Sequence, residues 1–215
     1  MVTEKKHGNT SLIKEVADYY SNKLSEYGET PQGVDWNSEA GQILRFQELC
    51  KVITSTKDIS VNDLGSGYGA FFSYLNERYT GVRYFGYDVS EQMVKAARNR
   101  HAESTNAQFD VASYPLRKAD YSIASGIFNV TLNHSNAEWE KYVKSVLDHF
   151  NESSEIGFSF NFLTSYSDKH KMREGLYYAD PCAMFDFCKN RYSRRVALLH
   201  DYDLYEFTIL VRKQP

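Results

Sequence analysis

The sequence predicts an α/β fold with a mostly parallel, doubly wound sheet and helices on both faces. Short apolar runs alternate with helical patterns over residues 59–163, which is the order of strand and helix in such a sheet. Two further apolar runs, 196–200 and 205–211, close the chain and are joined by a short link. Because so short a link cannot cross a sheet, we expect these two strands to pair antiparallel.

Helical patterns precede the first strand. Apolar residues recur at helical spacing over 11–27 and again over 38–54, which predicts two amphipathic helices. A loop that contains Trp36 separates them. We therefore expect residues 1–58 to form a helical cap segment that belongs to the same domain as the main body at 59–215.

The main body alternates strands and helices. Ser90 is placed to cap one helix, and Ser135 with Glu138 forms the S-x-x-E capping box of another. A polar stretch over 164–175 has no periodicity, and a short helix is expected around 183–189. The predicted strands cover residues 59–64, 82–87, 109–111, 121–125 and 156–163.

Size and composition exclude several classes of partner. With 215 residues, of which 42% are hydrophobic and 25% charged, the chain is long enough for one well-buried domain. A net charge of -3 gives no reason to expect nucleic acid as partner. No apolar run approaches the ~20 residues of a membrane helix, so no membrane partner is expected. Since the start of the chain is polar and unlike a signal peptide, we expect a cytoplasmic protein.

The cysteines indicate neither disulfides nor a metal. Cys50, Cys182 and Cys188 are few, odd in number and without C-x-x-C spacing. This pattern argues against a disulfide framework and against structural zinc, so we expect no metal site. Nothing in the sequence indicates the oligomeric state.

A glycine-rich turn carries the clearest chemical signal. The first strand runs through Asp63 into Gly65, Gly67 and Gly69, which stand at alternate positions. Because glycine has no Cβ, a ligand can approach this backbone closely. A helix that begins directly behind the turn points free N–H groups at the same place. The sequence therefore predicts a small-ligand site here.

Two acids favour a nucleoside ligand. Asp88 ends the second strand, beside the glycine turn, where a carboxylate can accept hydrogen bonds from two ribose hydroxyls. Asp110, followed by Val111, lies on the third strand and can accept a hydrogen bond from the exocyclic amine of adenine. Residues 65–70 fit both G-x-G-x-G and the dinucleotide fingerprint G-x-G-x-x-A. The helices ahead of the turn and the closing strand pair are nevertheless unusual for a nicotinamide dehydrogenase.

Together these residues resemble the class I S-adenosylmethionine-dependent methyltransferases, over 59–163 and, in topology, over the closing strand pair. The resemblance implies a Rossmann-like, seven-stranded sheet in which only the last strand is antiparallel. It also implies S-adenosylmethionine as cofactor and methyl transfer as activity. In that family an acid-x-Gly-x-Gly-x-Gly loop cradles the methionine part of the cofactor, and Asp63 with the three glycines matches it.

The resemblance also implies a role for the ends of the other strands. Asp88 would bind the ribose hydroxyls, Asp110 and Val111 would flank the adenine, and the turn 125–127 would contact the methionine end and the reacting centre. The expected cofactor-binding residues are Asp63, Leu64, Gly65, Ser66, Gly67, Gly69, Asp88, Val89, Met93, Asp110, Val111, Ser125, Gly126 and Ile127.

The sequence leaves the catalytic residues open. Transfer of a methyl group from a sulfonium depends chiefly on alignment and exclusion of water, and it needs a base only if the acceptor must lose a proton. Polar residues after the fourth and fifth strands lie where ligands bind such sheets, although each is more often a surface or structural residue. The candidates are His134, Tyr166, Asp168 and His170.

A further group is expected at the mouth of the substrate or cofactor site. Trp36 stands in a polar loop, and Arg45 on the next helix can pair with a carboxylate. Tyr177 and Tyr178 can form an aromatic lid together with Tyr166, while ordinary packing is the alternative for each. The complete mouth group is Trp36, Arg45, Asn129, Tyr177 and Tyr178.

A small-molecule acceptor is the preferred interpretation. No Asn-Pro-Pro-Tyr type sequence follows the fourth strand, which argues against amino-methylation of DNA or glutamine. The small basic clusters of the chain do not make a nucleic-acid face. Two other functions remain open: an NAD(P)-binding oxidoreductase that uses the same turn, and a cofactor-binding scaffold protein on a methyltransferase fold without turnover.

Overall fold

The computed structural model describes residues 4–132 and 134–213. Two helices open the chain, α1 (Glu4–Tyr27) and α2 (Glu39–Cys50), with a 3₁₀ turn at Pro31–Val34 between them. Ser38 caps α2, since its side chain accepts a hydrogen bond from the backbone N–H of Gly41. Both predicted N-terminal helices are therefore present, and α1 begins several residues earlier than its apolar periodicity indicates.

The main body alternates strands and helices as predicted. Its strands are β1 (Ser60–Leu64), β2 (Arg83–Asp88), β3 (Ala107–Val111), β4 (Ala119–Ala124), β5 (Ser154–Thr164), β6 (Tyr178–Ala179), β7 (Arg195–Leu199) and β8 (Glu206–Arg212). Its helices are α3 (Ala70–Arg78), α4 (Glu91–Arg100), α5 (Asn136–Ser153) and α6 (Pro181–Arg191).

The sheet has the order β3-β2-β1-β4-β5-β8-β7. Neighbouring strands are parallel from β3 to β5, and β8 is antiparallel to both β5 and β7. The predicted fold class is thus confirmed, including the single reversed strand. A short parallel strand, β6, pairs with the end of β5 and adds an eighth strand to the seven expected.

The two faces of β5 illustrate how the layers pack. Phe158, Phe160 and Phe162 point to one face and join a core cluster with residues of α1, α5 and α6. Ser159 and Asn161 alternate with them and are also buried. The residues of α2, α3 and α4 belong to the core cluster on the other face. This alternation is the pattern expected of a central strand covered on both sides by helices.

The order of the strands places a crevice at one edge of the sheet. From β1 the strands are added outward to β3 on one side of the sheet, and from β4 they are added outward to β5 on the other side. The neighbouring strands β1 and β4 therefore mark the point where the direction of the strand order reverses. In such sheets ligands bind outside the carboxyl ends of the strands at that point. Within the described ranges, the chain has no helix whose length and apolarity suit a membrane span.

Candidate functional site

The glycine turn follows β1 directly and has a backbone that requires glycine at Gly65. Its φ angle is +76°, in the left-handed region. A Cβ at Gly65 would lie 2.2 Å from Cγ2 of Ile127, which follows β4. The N–H groups of Gly65 and Ser66 both donate to the carbonyl of Tyr87, at 2.7 and 3.0 Å. The ends of β1, β2 and β4 are thereby packed against one another at the turn.

Asp88, the last residue of β2, is buried beside this turn. One oxygen of its carboxylate accepts a hydrogen bond from the N–H of Gly67, and the other accepts from the N–H of Ser90, each at 2.9 Å. Burial raises the pKa of the Asp88 carboxyl, and the backbone donors oppose that shift. The backbone thus fixes the orientation of a carboxylate at the carboxyl end of the strand.

Asp63 is a second buried acid in the same place. Its carboxyl accepts a hydrogen bond from the hydroxyl of Tyr84 on β2. Burial raises the pKa of Asp63 to about 7; the Tyr84 hydrogen bond lowers it in part, and the nearby charge of Asp88 adds to the increase. Two acidic groups therefore make the crevice favourable for a ligand that carries positive charge.

A pocket occupies the crevice and encloses about 860 Å³, counted to its open mouth. Both N-terminal helices contribute to its wall, as do the ends of β1, β2 and β4. The lining residues are Val16, Tyr20, Val34, Trp36, Gln42, Phe46, Asp63, Leu64, Gly65, Ser66, Gly67, Tyr68, Ala70, Phe71, Asp88, Val89, Met93, Ser113, Ser125, Ile127 and Tyr142.

Two hydroxyl groups in the pocket lack partners. The Oγ atoms of Ser66 and Ser125 are buried and make no hydrogen bond within the described part of the chain. Because a buried polar atom without a partner is costly, such atoms in a pocket wall favour a polar ligand that supplies the missing bonds. The amino-acid part of S-adenosylmethionine carries groups of this kind, and the nucleoside part suits Asp88. The residues present therefore fit this cofactor.

Trp36 lies in the pocket wall, whereas Arg45 lies behind it. The guanidinium of Arg45 stacks over the Trp36 ring, with its Cζ 3.8 Å from the ring centroid. The same guanidinium pairs with Glu206 of β8, and both residues are buried. The carboxylate partner anticipated for Arg45 is thus a residue of the protein itself.

Asp110 and Val111, which were expected to flank the adenine, do not line the described pocket. The Asp110 carboxylate faces Arg98 at 3.2 Å and the side-chain amide of Gln108 at 2.7 Å. Val111 is largely exposed. Ser113, two residues further on, lines the pocket instead. The strand is short, and Asp110 and Val111 are its last two residues, directly before the bend that contains Ser113.

The four candidates for acid-base chemistry lie outside the pocket lining. His134 faces Glu15 of α1, with 3.3 Å between Nε2 and Oε2. Asp168 accepts a hydrogen bond from Tyr205, and His170 is exposed beside it. Tyr166 is also exposed.

The other residues expected at the mouth or in the cofactor site support the scaffold. Asn129 is buried and accepts a hydrogen bond from the N–H of Leu163 through Oδ1, at 3.1 Å. Tyr177 packs edge-on against Phe162, and the Tyr178 hydroxyl accepts from the backbone of a neighbouring loop. Gly69 caps α3, and Gly126 contacts Trp36. The predictions that these five residues line the site are not met, because the described pocket wall contains none of them: Asn129, Tyr177, Tyr178, Gly69 and Gly126.

Sequence reasoning missed two tyrosines in the wall. Tyr20 of α1 and Tyr142 of α5 both line the pocket, although each stands in the apolar stripe of its helix, where the periodicity predicts a core position. Burial raises the pKa of Tyr142 to about 12 and that of Tyr20 further, and the charge of Asp88 contributes to both. A hydroxyl group within an otherwise apolar helical stripe was the signal available in the sequence. Gln42, Tyr68 and Ser113 were missed as well.

Residues 4–132 and 134–213 contain no metal-binding cluster, that is, no group of three or more His, Cys, Asp or Glu side chains that could hold a metal ion. The three cysteines are free, with Cys50 and Cys188 buried and Cys182 exposed. The polar groups in the described part of the site are thus backbone amides, hydroxyls, the Gln42 amide and two carboxyl groups.

Sequence comparison places this site in a known family. Residues 61–152 match a family described as methyltransferase domain. A protein of Mycobacterium tuberculosis that is named as a methyltransferase, Rv1506c, is 56% identical over 163 residues, which make up 76% of this chain and 98% of that protein.

Solved structures share the fold at low sequence identity. Magnesium protoporphyrin IX methyltransferase from Synechocystis PCC 6803 with bound SAM has a TM-score of 0.66 and 14% identity, and the match covers 94% of this chain and 97% of that one. The N-methyltransferase NodS from Bradyrhizobium japonicum WM9, in complex with S-adenosyl-L-homocysteine, has a TM-score of 0.65 and 11% identity, with 93% and 99% covered.

The fold and the crevice define a Rossmann-like α/β protein with a nucleoside-cofactor site. With the sequence relationship added, the chain belongs to the class I S-adenosylmethionine-dependent methyltransferases, and its cofactor is S-adenosylmethionine. The dinucleotide oxidoreductase that the glycine turn alone left open is thereby set aside.

Proposed function

We propose that this methyltransferase acts on a small-molecule acceptor that enters the crevice between α1 and α5. The observation that carries the proposal is the pair Tyr20 and Tyr142, which line the cofactor pocket from two helices. Each of these side chains carries a hydroxyl group that can form a hydrogen bond with a ligand. Because Val16 and Trp36 stand in the same wall, the acceptor compartment is largely apolar and aromatic, with two hydroxyl donors.

The cofactor would lie along the strand ends. Asp88 would accept hydrogen bonds from the ribose hydroxyls, while Val89, Met93 and Ser113 would surround the base. Ser66 and Ser125 would bind the amino-acid part, because their Oγ atoms are buried without partners in the described chain. When bound, S-adenosylmethionine supplies a methyl group on a sulfonium, which is a good leaving group.

The chain's own residues then have to bind, orient and exclude water. Tyr20 and Tyr142 remain protonated at neutral pH, since burial raises the pKa of both well above the ordinary value. They can donate hydrogen bonds to an acceptor but cannot remove its proton. This favours an acceptor whose attacking atom already has a free lone pair, such as a carboxylate, a phenolate or a neutral amine.

The size of the acceptor is limited by α1. This helix contributes Val16 and Tyr20 to the wall of the crevice. A wall built from both N-terminal helices and the strand ends favours a small acceptor over a flat macromolecular surface. One solved methyltransferase with this fold is named for a small molecule, magnesium protoporphyrin IX, which supports the same conclusion.

The test uses S-adenosylmethionine labelled on its methyl group. The purified protein is incubated with this cofactor and a cell extract, which is then divided into small molecules and macromolecules by filtration. The proposal predicts that the label accumulates in the small-molecule fraction, and that the variant Asp88→Ala abolishes the accumulation. Label confined to protein or nucleic acid would contradict it.

A further inference from the structure

Five residues form a closed ring at the back of the pocket, and one of them, Trp36, also lines the pocket. They come from five different parts of the chain: the loop before α2, α2 itself, the turn after β4, and the adjacent strands β5 and β8. We call this set the Arg45–Glu206 ring, and its members are Trp36, Arg45, Glu206, Asn161 and Gly126.

Hydrogen bonds make up three sides of the ring. Nε of Arg45 donates to both oxygens of Glu206, at 2.9 and 3.0 Å. The amide nitrogen of Asn161 donates to Oε2 of Glu206 at 2.5 Å. Its amide oxygen in turn accepts the backbone N–H of Gly126, at 2.7 Å. An acid on β8 is thereby connected to the backbone of the turn after β4.

Trp36 closes the ring. Its indole lies under the Arg45 guanidinium, at 3.8 Å from Cζ to the ring centroid. The other end of the indole contacts Gly126 so closely that a Cβ there would lie 2.2 Å from Cη2 of Trp36. Gly126 has a φ angle of +74°, so both its conformation and this contact require glycine.

The ring has features that simple stabilisation does not explain. Arg45 is 9% and Glu206 only 1% exposed. A buried ion pair of this kind contributes little net stability, because the loss of hydration offsets the attraction between the charges. Such a pair does, however, fix the geometry of the groups it binds. Here the ion pair binds Asn161, and Asn161 in turn binds the backbone of Gly126, so the group whose position is fixed is the Gly126 backbone.

The neighbours of Gly126 both face the cofactor pocket. Ser125 presents its Oγ, which has no hydrogen-bond partner within the described ranges, and Ile127 fills the space that a Cβ on Gly65 would occupy. A shift of the Gly126 backbone would therefore move both residues relative to the glycine turn. Val89 and Met93, in contrast, lie on the side of the pocket formed by β2 and α4, away from the ring.

We propose that the Arg45–Glu206 ring positions the turn 125–127 for the amino-acid part of the cofactor. Glu206 and Asn161 are positioning residues, since neither lines the pocket. The inference rests on the proposed function, in which Ser125 contacts that part of the ligand. Binding of the nucleoside part should not depend on the ring.

The experiment compares two ligands that differ only in the amino-acid part. S-adenosylhomocysteine contains it, and 5′-methylthioadenosine is the same nucleoside thioether without it. Calorimetry would measure both affinities for the wild type and for Asn161→Ala and Glu206→Gln. We expect S-adenosylhomocysteine to bind about tenfold more weakly to each variant, the size of one buried hydrogen bond, and 5′-methylthioadenosine to bind within about twofold of wild type.

Ser159→Ala is the matched control. Ser159 lies two residues before Asn161 on the same face of β5, is buried, and donates its hydroxyl to the carbonyl of Leu49 at 2.9 Å. It ties β5 to α2 without touching the ring, so both affinities should stay unchanged. Asn161→Ala leaves the Arg45–Glu206 ion pair in place, so a selective loss of S-adenosylhomocysteine affinity in that variant reports on the connection to Gly126.

The outcomes separate the ring from the proposed function. Equal weakening of both ligands in the ring variants would overturn the inference, because the ring would then support the fold in general. Unchanged affinity for S-adenosylhomocysteine in Asn161→Ala and Glu206→Gln would overturn it too. A wild-type protein that binds neither ligand would instead contradict the cofactor site itself.

Discussion

The carboxylate of Asp88 accepts a hydrogen bond from the backbone N–H of Gly67 at 2.9 Å, so the acid that ends β2 and the glycine turn after β1 are directly connected. The second oxygen of the same carboxylate accepts from Ser90 at the start of α4. These two bonds orient the acid before any ligand arrives. Such preorganisation reduces the ordering that ligand binding would otherwise require.

Asp88→Asn should weaken the binding of S-adenosylhomocysteine by about 10- to 100-fold. Hydrogen bonds to a charged acceptor are worth about 1.5–3 kcal/mol, and the amide accepts fewer and weaker bonds than the carboxylate does. Calorimetry on the purified protein measures the change. The melting temperature without ligand serves to show that the variant is folded.

Asp110→Asn is the matched control for Asp88→Asn. The carboxylate of Asp110 faces Arg98 and Gln108, and we expect its replacement to leave the affinity within about twofold, which is the size of an exposed ion-pair effect. An equal loss of affinity in both variants would restore the role beside the adenine that sequence reasoning assigned to Asp110.

Gly65→Ala should abolish cofactor binding. The new Cβ would lie 2.2 Å from Ile127, so the turn and the residue after β4 would have to separate. Gly28→Ala is the control, since Gly28 also has a positive φ angle, +67°, but a Cβ at that position would meet no atom within 4 Å. Both variants lose about 1–2 kcal/mol of stability from the backbone conformation alone.

Thermal melting with and without S-adenosylhomocysteine distinguishes the two glycine variants. Gly28→Ala should melt earlier than wild type but retain its full ligand-induced increase in melting temperature. Gly65→Ala should show no ligand-induced increase. Retention of the increase in Gly65→Ala would mean that the packing of Ile127 against the turn is unimportant for binding.

Asp63 should make the stability of the ligand-free protein depend on pH. Burial raises its pKa in the folded state to about 7, so the folded protein takes up a proton here that the unfolded chain, with an ordinary Asp pKa, does not. The resulting stabilisation is complete at low pH and is lost as the pH rises towards about 7. Tyr84 and Asp88 are the titratable groups that face Asp63, and both are retained in Asp63→Asn.

The measurement is the melting temperature of wild type and Asp63→Asn from about pH 5 to about pH 8. Wild type should lose stability relative to the variant across this interval, because only wild type has to bury the ionised carboxyl at the upper end. A difference between the two proteins that stays constant with pH would show that Asp63 has an ordinary pKa.

Tyr142→Phe should impair turnover more than cofactor binding. In the proposed function its hydroxyl lies on the acceptor side of the pocket, and loss of one hydrogen bond there would lower kcat/KM for the acceptor by about tenfold. The affinity for S-adenosylhomocysteine should remain within about twofold, because the aromatic ring is kept. A loss of cofactor affinity equal to the loss of kcat/KM would instead place this tyrosine against the cofactor.

The fold and the glycine turn could be predicted because their signals are local. Strand and helix periodicity, the Ser135 capping box and the closing strand pair each depend on residues close together in the chain, and the structure has each of them. The short strand β6 gave no such signal, since two residues are too few for a periodic pattern. Its pairing with β5 depends on the loop that precedes it.

The walls of the pocket were less predictable because they depend on where side chains point. Asp110 and Asp88 both belong to parallel strands, yet only Asp88 turns towards the crevice, while Asp110 pairs with Arg98 of α4. The ring partner of Arg45 is Glu206, which lies 161 positions away in sequence. Contacts at such separation leave no pattern in a single sequence, whereas the positions of the glycines do.

The central claim is that the crevice binds S-adenosylmethionine through Asp88 and the glycine turn, and calorimetry of the purified protein tests it most directly. S-adenosylhomocysteine should bind at one site per chain, raise the melting temperature, and lose most of its affinity in Asp88→Asn but not in Asp110→Asn. Binding of NAD without binding of S-adenosylhomocysteine, or an affinity for S-adenosylhomocysteine that is indifferent to Asp88→Asn, would contradict this claim.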